Sequence, residues 1–150
     1  MTMPAMARQG RVAGLLAGLL TACASAPPPE SAEAFLATPG VRPLGPPEIE
    51  SRVAGRVMVV PGSPPRRLLH ERAIIVDLNR PSGAPFSRGS WSFDPAGRYC
   101  QHFIPMDSSG ASAGACYRVY QRGEQTALVA RGASGRLHLY LVTFEAPPTS

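Results

Sequence analysis

Ser112 stands at the centre of Gly110-Ala-Ser-Ala-Gly114, a Gly-x-Ser-x-Gly spacing that can hold a serine hydroxyl on a sharp turn as an acyl-transfer nucleophile. Glu124 and His138 follow in the order acid, then histidine, so a nucleophile, a base and a carboxylate to orient that base are all present. Such a turn works where a strand enters it and a helix leaves. Here a polar loop led by Pro105 enters, and Cys116 to Tyr120, a strand-like segment, leaves. The expected role of 105–114 is therefore a surface loop of small residues, with serine hydrolysis as an alternative. His70, His102 and His138 fall in different segments with no ligand spacing, whereas zinc needs three or four ligands gathered in space. No metal and no other cofactor is expected. Asp77, Asp94 and Asp107 show no pairing that would place two carboxylates across a cleft, and Asp94-Pro95 reads as a turn.

Aromatic residues concentrate more than titratable ones do. Trp91, Phe93, Tyr99 and Phe103 cluster with Arg88 and Arg98 beside them. Two uses fit that composition. One is the core of a small domain; the other is an exposed aromatic-and-arginine patch of the kind protein interfaces prefer. Tyr117, Tyr120 and Tyr140 extend either version.

The elements that would position these residues are strands. From Ile49 to Val59 apolar residues alternate with polar ones, the period of two that a half-buried strand requires. A helix over 47–54, started by Pro47, is the rival for its first half. Leu68 to Leu78 is apolar on both faces, as a central strand would be. Further strands are expected around Trp91 and Phe93, at Tyr99–Ile104, Cys116–Tyr120, Thr126–Ala130 and Arg136–Phe144, with turns at 121–124 and 131–135. About seven short strands with Gly and Pro turns predict an all-β fold, a small antiparallel sandwich or barrel. The last strand, 136–144, is expected to present an edge to which a partner could add.

The N-terminus has an address. Arg8 and Arg11 precede an apolar run, Val12 to Leu20, that is too short to span a bilayer, and small residues follow it. Leu20-Thr21-Ala22-Cys23 resembles the lipobox of bacterial lipoproteins. The resemblance covers residues 1–24. It implies cleavage before Cys23, acylation of that cysteine, and, with Ala24 next, an outer-membrane destination facing the periplasm or the surface. Two or more acyl chains hold a protein firmly where one does not. The expected organisation is a signal peptide over 1–22, a lipidated cysteine and proline-rich tether over 23–47 with a short amphipathic helical turn or two at 30–37 that Pro39 and Gly40 stop, a β domain over 48–146, and a tail over 147–150. Setting Cys23 aside leaves Cys100 and Cys116, an even pair in an oxidising compartment and so a disulfide candidate. A direct hairpin with Ile104 beside Ala115 would put Cys100 opposite Val119, too far from Cys116. Either the two strands are not simple hairpin partners or Cys116 belongs to the loop, and the second is the expectation.

All 15 basic residues are arginine, and 13 of them face 10 acids after residue 22. They are scattered and form no recognised nucleic-acid module, so nucleic acid is not expected as a partner. The expectation is a non-enzymatic envelope lipoprotein that holds the membrane through Cys23 and presents its β domain to a protein or an envelope polymer. In size, anchor and cysteine pair the chain is also similar to the small disulfide-bonded β-barrel lipoproteins that block lysozyme. The stretch Tyr120-Gln-Arg-Gly-Glu-Gln-Thr-Ala-Leu128 is similar to their strand-turn-strand segments. That likeness implies an inhibitor and extends no further than these features.

Overall fold

The computed structural model describes residues 30–76, 86–105, 112–147 and 149. Eight strands run in sequence order, each antiparallel to the last: β2 (Arg56–Val59), β3 (Arg66–Leu68), β4 (Ala73–Val76), β5 (Phe86–Phe93), β6 (Tyr99–Pro105), β7 (Ala113–Arg122), β8 (Gln125–Arg131) and β9 (Leu137–Glu145). β9 pairs back onto β2, with Met58 opposite Phe144, and this closes the meander into a barrel. The all-β expectation holds, and of its two forms the barrel is the one present. Closure takes up the edge expected at 136–144 at its C-terminal end, where β2 pairs with Thr143–Glu145, while β8 pairs along Leu137–Val142.

Three elements precede the barrel: α1 (Ala32–Ala37), β1 (Arg42–Pro43) and α2 (Pro46–Val53). The strand expected from Ile49 is thus a helix as far as Val53. Pro46 and Pro47 fill the first helical positions, where a missing N–H costs nothing, and Glu48 reaches back to accept the Gly45 N–H at 3.1 Å. Ile49 and Val53, four apart, then share one buried face, which satisfies the same apolar residues at a period of 3.6. Gly55, at φ +73°, turns the chain into β2. The single strand expected over 68–78 is instead a hairpin. Leu69 to Arg72 make a tight turn in which the Arg72 N–H donates to the Leu69 carbonyl. Residues 77 and 78 lie outside those described.

The tether expected over 23–47 is docked on the barrel from residue 30 onward, and the short helix expected at 30–37 is present as α1. Ser31 caps α1 by accepting the Ala34 N–H, and Phe35 is fully buried. The Arg122 guanidinium stacks on the Phe35 ring at 4.4 Å and holds both carboxylate oxygens of Glu30, at 2.8 and 2.9 Å. β1 pairs with β7 at Gln121 and Tyr120, on the stretch that β6 leaves unpaired. Proline content marks an extended segment here, and the buried aromatic ring docks it.

Strand alternation sorts the barrel. Met58, Leu68, Ile74, Val76, Trp91, Tyr99, Val119, Leu128 and Val142 point inward and form the core with Ile49 and Val53 of α2. α2 lies across the end formed by the β3–β4 and β5–β6 turns. Glu50 pairs with Arg72 at 3.0 Å, and Pro46 packs near Gly97. On the outer wall, Ala127 and Val129 of β8 are buried as well, on the side where α1 packs against β9. Among the described residues no helix is long and apolar enough to cross a membrane.

Candidate functional site

The end of the barrel away from α2 is where inward-facing residues meet solvent. Tyr140 faces inward, opposite Leu128, yet is 41% exposed. Ala115, opposite the buried Gln101, is exposed too. Arg66 begins β3 at an inward position between Met58 and Val76. Its guanidinium donates to Gln101 Oε1 and lies 5.1 Å over the Phe103 ring. Gln101, 2% exposed, passes its other end down to the Tyr99 hydroxyl at 2.9 Å and to Met58 Sδ at 3.5 Å. Tyr117 stands edge-on to Tyr140 with ring centroids 6.0 Å apart.

These contacts make a polar relay capped by a cation and walled by aromatic rings. Among the described residues no carboxylate pairs with Arg66. Burial lowers the pKa of its guanidinium below the usual arginine value, and the nearby Tyr117 and Tyr99 oppose that shift. Arginine stays protonated regardless. Burial also raises the Tyr99 and Tyr117 phenols, so both are neutral donors at physiological pH. Among the described residues the open end therefore offers aromatic surface, neutral hydroxyls and the positive charge of Arg66.

The residues expected to do chemistry do not meet. Ser112 precedes β7 at the open end, and Glu124 sits in the turn after β7 at the other end. A strand of that length separates them by roughly 30 Å. His138 is at the open end, one residue into β9, so serine, acid and histidine cannot act together. This removes the hydrolase alternative in the form that used Glu124.

The aromatic-and-arginine patch is corrected in the same way. Trp91 and Tyr99 are buried at 1% and 0% exposure, and Phe93 and Phe103 pack against them, because all four occupy inward positions of β5 and β6. Trp91 Nε1 donates to the Leu69 carbonyl at 3.0 Å, which satisfies its one polar atom. Arg88 points outward beside the exposed Ile75, and Arg98 pairs with Asp94 at 2.7 Å. Only Phe103, through Arg66, belongs to the open end.

Cys100 and Cys116 are directly opposite in the β6–β7 ladder, with sulfurs 1.98 Å apart and Cα atoms 4.0 Å apart. The expectation that Cys116 lies in the loop is overturned. β7 starts at Ala113, so Phe103 pairs with Ala113 and the register moves by three residues from the one supposed. Asp94 approaches the same two sulfurs, but sulfurs bonded to each other are not the thiolates a metal needs. Asp77, Asp107 and Cys23 lie outside the described residues.

The sequence reading missed Arg66 as a site residue. Arg66 and Arg67 follow Pro64-Pro65 with no periodic context, and only the register against Met58 separates the inward arginine from the outward one. No family model, curated protein or solved structure matches this chain.

Proposed function

We propose that this chain is a non-enzymatic lipoprotein, anchored at the outer membrane through acylated Cys23, whose barrel binds a protein or envelope polymer at its open end. The observation that supports this reading most is Tyr140: a large aromatic side chain on the interior side of a closed barrel, 41% exposed, in contact with Tyr117, whose neighbour Arg66 pairs with no carboxylate among the described residues. Tyrosine and arginine are the residue types that carry most interface energy. The test is capture from envelope extract with the soluble chain starting at Ala24, which keeps every described contact, run beside Tyr140→Ala and Arg66→Gln variants. A specific partner should be retained by the parent and lost at least about tenfold by each variant. Identical capture by all three would sink the open end as the binding surface. The anchor is tested separately by mass spectrometry of the full-length protein, and an unmodified Cys23 would leave a secreted protein.

A second reading is inhibition of lysozyme. It is favoured by one specific observation, a small closed barrel stapled by a cross-strand cysteine pair, the architecture of the inhibitor class that the chain resembles in size and anchor. Micromolar soluble protein should then slow lysis of cell-wall substrate by added lysozyme, and unchanged lysis at that concentration rules it out.

A further inference from the structure

The outer wall of the barrel carries a groove of about 350 Å³ between α1 and β7–β9, bordered by Arg98, Arg118 and Arg131 and floored by Leu36, Val129 and Leu137. Among the described residues no acidic side chain lines it. Arg98 is ion-paired to Asp94, Arg131 donates to the Gly135 carbonyl, and Arg118 makes no ion pair among the described residues. All three arginines are exposed. We propose that this groove lies against acidic phospholipid head groups, with the guanidinium groups on phosphate and the leucines turned to the acyl boundary.

Two observations select a lipid surface as the occupant. The first is charge combined with an aliphatic floor. Arginines can reach phosphate oxygens while the apolar strip between them is shielded from water, the arrangement that interfacial proteins use. The second is chain reach. Only seven peptide units separate Cys23 from Glu30, which Arg122 pins to the barrel. At full extension they span about 25 Å, so a barrel held at Cys23 rests close to the bilayer. Leu36 of α1, which borders the groove, follows soon after that pinned residue. The inference takes its direction from the proposed anchor at Cys23, but the binding itself can be measured without it.

The test uses the soluble chain from Ala24, which carries no acyl group, in sedimentation with vesicles of phosphatidylcholine alone and of phosphatidylcholine with phosphatidylglycerol. Binding to the acidic vesicles only is the expected result, weakening as salt rises. Arg118→Gln with Arg131→Gln should lower that binding about 25-fold, each arginine near an anionic surface contributing roughly fivefold. Arg67→Gln with Arg88→Gln removes the same charge from the outer wall of β3 and β5 and should change binding by less than about twofold. Equal loss in both pairs would show non-specific attraction and overturn the site. Equal binding to neutral and acidic vesicles would overturn it too, as would complete displacement by millimolar inorganic phosphate, which would mark a small-anion site. Failure of Cys23 acylation in vivo would undo the anchor and leave these vesicle results standing, so the two ideas fail separately.

Discussion

Gln101 shows how one polar side chain can organise an apolar interior. It links the Tyr99 hydroxyl to the Arg66 guanidinium, and it is nearly inaccessible to water. Gln101→Leu keeps volume and deletes both bonds, which leaves a buried phenol and a half-buried cation unpaired. A loss of about 2 kcal/mol by urea unfolding is expected. Combining it with Tyr99→Phe should recover part of that loss, since the phenol no longer needs a partner. The exposed carboxylates set the acid limit. Asp94 is held below its ordinary range by the Arg98 N–H and guanidinium, Glu30 by Arg122, and Glu48 by Arg42 and the Gly45 N–H. Each binds its proton more tightly unfolded than folded, so stability is present near neutrality and falls as pH drops below about 4.5. Thermal midpoints measured from pH 7 to pH 3 should show that decline, and Asp94→Asn should make it shallower.

The elements show what was legible and what was not. β6, β8 and β9 were visible as alternating runs, and their boundaries shift by no more than a residue or so from those expected. α2 was not, because Ile49 and Val53 fit both periods and only the Pro46-Pro47 start and the Glu48 contact decide between them. The docking of α1 rests on Phe35, with Ala32 buried beside it and Glu30 held by Arg122, in an otherwise proline-rich stretch. No local pattern reports that Arg122, far along the chain, stacks on it. The open-end residues were hidden for a related reason: facing inward is a property of register, and the register turned on a loop end at Ala113. Two measurements belong at this scale. Phe35→Ala should destabilise by about 3 kcal/mol and raise hydrogen exchange in 31–37 ahead of the barrel. At Gly89 an added Cβ would lie 2.2 Å from the His102 carbonyl oxygen of the neighbouring strand. Backbone cannot yield as a flexible side chain does, so Gly89→Ala should cost several kcal/mol, about as much as a large core deletion.

At the scale of the whole molecule, the Cys100–Cys116 pair fastens β6 to β7 at a rung of the ladder they already share. Its contribution is therefore to the unfolded chain, which it shortens by a loop of 16 residues. About 3 kcal/mol should be lost in the Cys100→Ser, Cys116→Ser double variant by denaturant unfolding. The β2–β9 seam has a different consequence, one of timing. Val57 pairs with Glu145, so the first barrel strand waits for the eighth before the cylinder can shut. Pairings so distant in sequence are slow to form. Under the export proposed above, a chain that crosses a membrane unfolded would gain from that delay. Until β9 arrives, only an open meander with two bare edges can assemble, and the barrel locks when β9 reaches β2.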